Sequence, residues 1–243
     1  MRIPRIYLPQ PLSVGATVAL DAAAFNHAVR VLRLQSGAAL ILFDGAGHAC
    51  AALLEAIGKR EARARIVEAL PSALESPLYI VLAQGIARGE KMDYSLQKAV
   101  ELGVAAMQPL LTERGGVDLS DERQSRKMQH WRGILISACE QCGRNRLPEL
   151  REPLLLTDWL ARPADPGLRL LLDPAATTSL RDLKPSDAVT VLIGPEGGLN
   201  PAEIALTRAM GFVGVRLGPR VLRTETVGLA ALAAIQTLWG DWT

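Results

Sequence analysis

The stretch of residues 189–226 constrains the fold of this chain more than any other. It opens with a β-branched apolar run, 189–193, that stops at Gly194-Pro195, as a buried strand does at its end. Gly197-Gly198 then leaves the backbone without side chains, so a ligand could approach its amides closely. This pattern predicts a buried strand followed by a binding loop.

A helix and a second strand follow that loop. Asn200 is a predicted helix N-cap, Pro201 stands in the first turn, and Glu203 follows three residues after the cap. The helix is expected to end at Gly211, and residues 213–217 form the next predicted strand. Because that strand also ends in Gly-Pro, the two strand ends predict one ligand site at the carboxyl edge of a sheet.

A third strand, 168–172, ends at Asp173-Pro174. If the three strands are neighbours, their ends line one crevice, which would suit an adenosine-type ligand held by backbone groups and apolar side chains. The phosphate-binding P-loop is absent because Leu199-Asn200 stands where Lys and Ser or Thr are required, and the dinucleotide fingerprint is absent too. If the glycines only make tight turns, no ligand site is implied.

The chain divides into two regions by its patterning. Residues 1–70 contain several short predicted strands around a helix at 22–32, which predicts a small β-barrel. Residues 71–77, rich in Pro and Ser, form the predicted linker. From 78 to 243, strands alternate with helices, which predicts an α/β domain around a mostly parallel sheet. Its last helix, 226–239, is apolar on nearly every side and needs cover from its own domain or from a second subunit.

Composition narrows the possible partners. The net charge is only +2, so an RNA-binding surface would have to be local. Arg63 and Arg65 share one face of a predicted edge strand, which indicates either a solvated face or an RNA-facing strip. The start of the chain lacks a secretory signal, and no run approaches the ~20 apolar residues of a membrane span, so a cytoplasmic protein is predicted.

The cysteines do not predict a metal or redox site. Cys139 and Cys142 have a redox-like spacing, but they fall inside a helical pattern. The chain has only three histidines and no second cysteine pair to complete a metal site. Reduced cysteines are the favoured interpretation, and no metal is predicted.

Six motifs follow one another along the chain in a distinctive order. The carboxy-terminal ones are Gly194-Pro-Glu-Gly-Gly-Leu and Leu217-Gly-Pro-Arg-Val-Leu-Arg-Thr-Glu-Thr. The others are Arg2-Ile-Pro-Arg-Ile-Tyr, His27-Ala-Val-Arg-Val-Leu-Arg, Arg88-Gly-Glu-Lys with Gln97-Lys-Ala-Val-Glu-Leu-Gly-Val, and Ala138-Cys-Glu-Gln-Cys-Gly-Arg-Asn-Arg-Leu-Pro. Together these motifs resemble the SPOUT class of RNA methyltransferases and, within it, the bacterial 16S ribosomal RNA (uracil-N3)-methyltransferases. The resemblance covers nearly the whole chain.

The resemblance implies a PUA-like amino-terminal barrel and a carboxy-terminal α/β domain with a trefoil knot, a topology that pattern alone would never predict. It also implies a homodimer and the cofactor S-adenosylmethionine. Carried over onto this sequence, the cofactor contacts fall on Leu172, Ile193, Gly194, Pro195, Glu196, Gly197, Gly198, Leu217, Gly218, Leu222, Arg223 and Thr224. The implied substrate is uridine N3 in 16S ribosomal RNA, as free RNA or within the 30S subunit.

Methylation at uracil N3 requires removal of a weakly acidic proton or stabilisation of the uracil anion, because N3 has no free lone pair. The sulfonium methyl donor is already activated, so no metal is chemically required. Candidate proton acceptors are Glu140, Glu196 and Glu225, and Glu140 acting with Arg223 is the hypothesis adopted. Glu196 could instead stabilise its loop, and Glu225 could cap the last helix.

Contact with the RNA is expected to rely on phosphates, because aromatic residues make up only 4% of the chain. The predicted RNA-binding residues are Arg5, Arg30, Arg33, Arg88, Lys91, Arg144 and Arg146. For residues 144–146 the alternative is a solvated helix end. Three other functions stay open: a methyltransferase for 23S RNA or tRNA, a non-catalytic ribosome-assembly protein, and a nucleotide-dependent enzyme.

Overall fold

The computed structural model describes residues 3–71, 74–115 and 121–242, with the side chain of residue 121 excepted. Part of the predicted linker, residues 72–73, therefore lies outside the described residues. The chain forms two compact units. The first comprises Met1–Glu75 together with Ile136–Leu147, and the second comprises Ser76–Leu135 together with Pro148–Thr243. Residues 136–147 thus pack with the amino-terminal unit, whereas the sequence had placed them in the carboxy-terminal domain.

The first unit is built on a five-stranded sheet. Its elements are β1 (Arg5–Tyr7), β2 (Thr17–Ala19), α1 (Ala22–Phe25) with a π-helical continuation Asn26–Val31, β3 (Ala39–Phe43), β4 (Ala49–Ile57) and β5 (Ala62–Leu70). The strand order is β1-β3-β4-β5-β2. Alternate residues of the strands point into one core, in which Ile6, Leu42 and Leu54 are fully buried beside Phe25 of α1.

Two features of this unit differ from the sequence predictions. The predicted helix 22–32 is only one α-helical turn before it widens into the π-helix. The strand that carries Arg63 and Arg65 is not an edge strand, because β5 pairs with β4 on one side and with β2 on the other. Both arginines are exposed, and Arg65 forms an ion pair with Glu55 at 2.7 Å.

The second unit is built on a parallel sheet, as predicted. Its elements are β6 (Tyr79–Gly85), α2 (Glu90–Glu101), β7 (Ala106–Leu111), α3 (Asp121–Cys142, whose last turns belong to the first unit), β8 (Glu149–Leu150), β9 (Leu154–Leu155), α4 (Leu156–Leu160), β10 (Leu168–Leu172), β11 (Ala188–Ile193), α5 (Pro201–Ala209), β12 (Val213–Val215) and α6 (Thr224–Trp239). The strand order is β12-β10-β11-β6-β7-β8, with β9 also paired to β7.

The central strands β6, β10 and β11 are mostly apolar and largely buried, which is typical of a parallel sheet covered by helices. Leu171 and Leu192 are buried with Leu160 of α4 and Phe212 in one core cluster. Helix α6 packs against α2 and β11. A Cβ atom on Gly228 of α6 would lie 2.6 Å from Cδ1 of Ile193, so glycine permits this close approach of helix to strand.

Within the part of the chain that the structure describes, no helix is long and apolar enough to cross a membrane.

Candidate active site

The three strand ends singled out in the sequence lie side by side. β10 pairs in parallel with β11 and with β12, so all three carboxyl ends meet at one edge of the sheet. The condition on which the predicted crevice depended is therefore met. A cavity of about 570 Å³ opens there, within the range typical of small-molecule sites. Its lining combines apolar side chains with bare backbone from the segments 171–174, 193–199, 215–217 and 220–227.

The loop after β11 is shaped by glycines that have no room for a side chain. A Cβ atom on Gly194 would lie 2.9 Å from the backbone nitrogen of Leu199, and one on Gly85 would lie 2.6 Å from Pro195. Gly198 has φ +67°, a conformation that side chains disfavour. The loop therefore turns tightly against β6 and presents backbone, rather than side chains, to the cavity.

The helix start after this loop matches the prediction. The Asn200 side chain accepts a hydrogen bond from the Glu203 backbone N–H, and the Glu203 carboxylate accepts one from the Asn200 backbone N–H, both at 2.8 Å. This reciprocal capping box, with Pro201 in the first turn, begins α5. It fixes the carboxyl end of the glycine loop.

A second chain segment is attached to the same capping box. The other Glu203 oxygen accepts the backbone N–H of Glu113 at 3.0 Å, and the Glu113 carboxylate accepts a hydrogen bond from the Asn200 amide. Beside it, Arg114 donates to the Gly197 carbonyl at 3.4 Å. The loop that follows β7 is thus fastened to the glycine loop. We call these residues, Glu113, Arg114, Gly197, Asn200 and Glu203, the loop clamp.

Glu196 is held as a carboxylate at the mouth of the cavity. It accepts hydrogen bonds from the Arg88 backbone N–H at 3.0 Å and from Nζ of Lys91 at 3.2 Å. Burial alone would raise the pKa of Glu196, but these donors and its own backbone N–H together lower the pKa below its ordinary value. Glu196 is therefore ionised and engaged, as a loop-stabilising residue would be.

Asp173 shows a similar engagement at the end of β10. Its carboxylate accepts the Ala175 backbone N–H and forms an ion pair with Arg208 of α5, both at 2.8 Å. It therefore holds the turn that leaves the strand.

The start of α6 is attached to the strand ends by a buried polar chain. Oγ1 of Thr224 donates to the Gly194 carbonyl at 2.6 Å and accepts a hydrogen bond from the Gln84 side chain at 2.9 Å. Arg223 is the N-cap residue of α6, but its side chain makes no capping bond. Arg223 is exposed and lines the cavity, and no ion pair of its guanidinium is found within the described residues.

Glu225 differs from the other acidic residues of the cavity lining. Its Oε2 atom is buried and, within the described part of the chain, has no hydrogen-bond partner. A buried carboxylate oxygen without a donor is costly, so the Oε2 atom of Glu225 is the carboxylate oxygen of this lining best able to accept a hydrogen bond from a bound ligand.

Most of the predicted cofactor residues lie in this cavity lining. The exceptions are Gly197, which supports the loop through Arg114, and Gly218, which precedes the lining segment 220–227. The strand predicted at 213–217 ends earlier, at Val215, so Leu217 belongs to the loop rather than the sheet.

Glu140, the proposed proton acceptor, is engaged in the amino-terminal unit. One carboxylate oxygen accepts the Tyr7 backbone N–H at 3.1 Å, and the other pairs with Nδ1 of His27 at 2.9 Å. Both oxygens therefore hold β1 and the π-helix to the end of α3.

Two of the predicted RNA-binding arginines are interior groups of the same unit. Arg144 is 5% exposed and forms an ion pair with Glu75 at 2.9 Å. Arg5 is partly buried, stacks 5.0 Å from the centre of the Phe43 ring and donates to the Arg144 carbonyl. The alternative of a solvated helix end is wrong for Arg144 and for Asn145, which is also buried.

The remaining predicted RNA-binding residues are distributed over both units. Arg30, Arg33 and Arg146 are exposed in the first unit, and Arg88 is exposed in the second. Lys91 lines the cavity, where it pairs with Glu196.

The cysteines are free thiols. Burial raises the pKa of the Cys139 thiol to about 12, and its Sγ contacts the Arg146 carbonyl at 3.7 Å. Among the described residues no group of three His, Cys, Asp or Glu side chains could hold a metal ion.

Several residues of this site were not identified from the sequence. Gln84, Asp173, Glu113 and Arg208 act through contacts between distant segments, and no local motif marks them. Asp173 could have been found, because it stands directly after a predicted strand at the expected carboxyl edge.

Comparison with known proteins defines the class. A family model described as an RNA methyltransferase domain matches residues 74–236, and one described as an RNA methyltransferase PUA domain matches residues 20–67. The chain therefore belongs to the RNA methyltransferase family, and the prediction of an RNA methyltransferase with a PUA-like amino-terminal domain is confirmed.

Within that family, the chain is similar to ribosomal RNA small subunit methyltransferases E and to related solved structures. The chain is 35% identical to the ribosomal RNA small subunit methyltransferase E of Buchnera aphidicola, over 99% of this chain and 98% of the relative. The structure of a ribosomal RNA small subunit methyltransferase E from Neisseria gonorrhoeae, bound to S-adenosyl methionine, matches at 42% identity and a TM-score of 0.94 over all of both chains. A methyltransferase from Legionella pneumophila, solved with bound SAM, matches at 43% identity and a TM-score of 0.96 over 99% of this chain and 100% of the other.

Proposed function

We propose that this chain transfers a methyl group from S-adenosylmethionine to N3 of a uridine in small-subunit (16S) ribosomal RNA. The observation that carries the proposal is the cavity at three neighbouring strand ends, in a chain whose full-length relatives include ribosomal RNA small subunit methyltransferases. In this proposal residues 78–243 are catalytic and residues 1–70 bind RNA; the matches of the RNA methyltransferase domain to 74–236 and of the PUA domain to 20–67 support it.

The cavity suits the cofactor chemically. Leu172, Ile193, Leu217 and Leu222 supply apolar surface for an adenine ring, while the bare backbone of the glycine loop offers N–H and C=O groups for its polar edge. Relatives crystallised with S-adenosyl methionine have the same fold at above 40% identity. When bound, this cofactor supplies a methyl group on a positively charged sulfur, which is a good leaving group.

Uracil N3 has no free lone pair, so residues of the chain have to remove its proton or stabilise the uracil anion. In this proposal Glu225 accepts the N3 proton, and the support is that it lines the cavity with a buried carboxylate oxygen that has no donor within the described residues. Arg223, two residues away, is exposed with a guanidinium that can stabilise negative charge on the uracil oxygens O2 or O4. We retain Glu140 as the alternative acceptor, but its carboxylate is engaged by His27 and Tyr7 and would first have to be released.

The RNA would be held by exposed cations. Arg30, Arg33, Arg88 and Arg146 can reach phosphates, whereas Arg5 and Arg144 support the surface from beneath, and Lys91 is engaged by Glu196. A uridine in structured RNA has to leave its stack to enter the cavity. A ribosomal substrate places the enzyme in the cytoplasm, with either 16S RNA or the 30S subunit as substrate.

Helix α6 supports a homodimer. Its buried face packs on its own sheet, but the apolar residues Val227, Ala230, Ala234 and Leu238, spaced as one stripe, stay partly exposed. A second copy of the chain covers this stripe in our proposal, and Val227 connects it with the cavity lining. The trefoil knot expected for the SPOUT class belongs to the same proposal.

A methyl-transfer assay tests the function. We would incubate the protein with tritiated S-adenosylmethionine and unmethylated 30S subunits, 16S RNA, 23S RNA or tRNA, and identify the labelled nucleoside by mass. The proposal predicts 3-methyluridine in the small-subunit RNA alone. Label in 23S RNA or tRNA, or a different methylated nucleoside, would contradict the proposal. Saturable binding of RNA without any methyl transfer would favour the assembly-protein alternative.

A further inference from the structure

The end of the π-helix exposes two apolar side chains between two arginines. Val31 is 62% exposed and Leu32 is 40% exposed, and Arg30 and Arg33 on either side are exposed as well. We call these four residues the Arg-Val-Leu-Arg patch. Contiguous exposed apolar surface with a polar rim is a feature of interaction sites.

The local backbone is what brings these side chains to the surface. Ala24, Phe25 and Ala28 are buried, and a continued α-helix would be expected to bury positions 31 and 32 as well. The helix instead widens, so that the Leu32 N–H donates to the His27 carbonyl at 2.9 Å, five residues back. Widened turns of this kind occur frequently at functional sites.

Arg33 stands in a conformation that favours glycine. Its φ is +54°, and it is the single non-glycine residue with positive φ among the described residues. The helix ends at this residue, where the Leu34 N–H donates to the Ala28 carbonyl at 3.0 Å. Helices commonly end this way with glycine at the left-handed position. Arginine at this position therefore strains the backbone, but it presents a charged side chain that glycine lacks.

The charge of the patch indicates the nature of the partner. Among the residues that the structure describes, no carboxylate pairs with Arg30 or Arg33. The Arg30 guanidinium lies 5.8 Å from the centre of the buried Phe25 ring. Two unneutralised arginines flanking an apolar pair are complementary to a base between two phosphates.

We propose that the Arg-Val-Leu-Arg patch binds an unstacked base step of the RNA, with Val31 and Leu32 against the base face and Arg30 and Arg33 on the flanking phosphates. This rests on the proposed function, because it requires an RNA substrate. It adds an apolar contact to a surface otherwise expected to act through charge alone.

Two variants separate the apolar contact from the ionic one. V31S/L32S removes apolar surface without changing charge, so affinity for 16S RNA should fall roughly tenfold with an unchanged dependence on salt. R33G removes one phosphate contact on a single-stranded segment, so the slope of log affinity against log salt should become shallower by about 0.7. V14S, at another exposed valine of the same unit, is the matched control and should bind RNA as the wild type does.

Thermal unfolding distinguishes function from folding. Because glycine adopts φ +54° without strain, R33G should unfold at the wild-type temperature or higher while losing RNA affinity. Calorimetric titration with S-adenosylmethionine should be unchanged in every variant, which shows that the cofactor site is intact.

The outcomes are decided by filter binding to 16S RNA and to 30S subunits. Wild-type affinity of V31S/L32S for both would overturn the inference. A loss confined to 30S subunits would overturn it too, because the apolar pair would then contact a ribosomal protein. If the wild-type chain bound neither RNA nor subunits, the proposed function itself would fail, and this inference with it.

Discussion

At the scale of single residues, three carboxylates around the cavity differ in whether a cation or an N–H group engages them. Glu196 is engaged by Lys91 and a backbone N–H, and Asp173 is engaged by Arg208, whereas the buried Oε2 of Glu225 has no donor in the described part of the chain. The sequence marked Glu196 and Glu225 as equivalent candidates. It could not separate them, because the cations that engage a carboxylate come from distant segments.

Replacing Glu225 by Gln should abolish proton acceptance while keeping the shape of the side chain. We expect methyl transfer to fall by about 10²–10⁴-fold, the usual contribution of a general base. Cofactor affinity, measured by calorimetry, should stay within a few-fold. Glu140→Gln is the comparison variant. If Glu140→Gln lost methyl transfer by this amount while Glu225→Gln stayed fully active, Glu140 would be the proton acceptor instead.

Arg144 offers a test of the amino-terminal unit. Replacing it by Ala removes the ion pair with Glu75, but the Glu75 carboxylate keeps the backbone N–H donors of Asn145 and Arg146, so the cost is about 1–3 kcal/mol. We expect a clearly lowered midpoint of urea unfolding, whereas Arg146→Ala, at an exposed position, should change it little. An Arg144→Ala protein of wild-type stability that binds RNA weakly would instead support the original RNA-binding prediction.

At the scale of elements, local signals predicted well wherever the chain itself supplies the partner. The capping box of α5 and the strand at 168–172 follow from short-range patterns, and the strand was predicted with correct bounds. The π-helix was missed, because apolar spacing at 24, 25, 28, 31 and 32 is that of an α-helix. The short strands β1, β8 and β9 were missed too, since two or three residues carry no periodicity.

The loop clamp makes a prediction about Asn200. Asn200→Ala removes both the helix cap and the bond to Glu113, so unfolding free energy should fall by about 1–2 kcal/mol. Affinity for S-adenosylmethionine should weaken as well, because the glycine loop loses its fixed end. Asn200→Ser keeps a capping oxygen but loses the Glu113 contact. Recovery of stability without recovery of affinity in this variant would locate the cofactor effect in the clamp, and unchanged affinity in both variants would contradict it.

At the scale of the whole molecule, the sequence predicted a parallel α/β domain after a small β domain, and the family comparison agrees. The packing of residues 136–147 with the amino-terminal unit was not foreseen. Their partners, such as Glu75 for Arg144 and Tyr7 for Glu140, are about 70 and 133 residues away along the chain. No pattern confined to one segment reports a contact of that kind.

The proposed dimer follows from the partly exposed apolar stripe of α6. Analytical ultracentrifugation of the wild-type chain should give twice the monomer mass of 26.1 kDa. A charge inside the stripe, Ala230→Arg with Leu238→Arg, should shift the protein to monomers, while Leu206→Arg on α5 should leave the dimer intact. A monomeric wild-type protein would contradict the assignment of this face.

The central claim is that the ends of β10, β11 and β12 form the site for S-adenosylmethionine. It is tested most directly by calorimetric titration of the wild-type chain and of Leu217→Glu, which adds a charge to the apolar cavity lining, with Leu206→Glu as the matched leucine outside the lining. We expect saturable binding of one cofactor per chain in the wild type and in Leu206→Glu. We expect no binding in Leu217→Glu, at an unchanged melting temperature. Absence of binding in the wild type, or undiminished binding in Leu217→Glu, would contradict it.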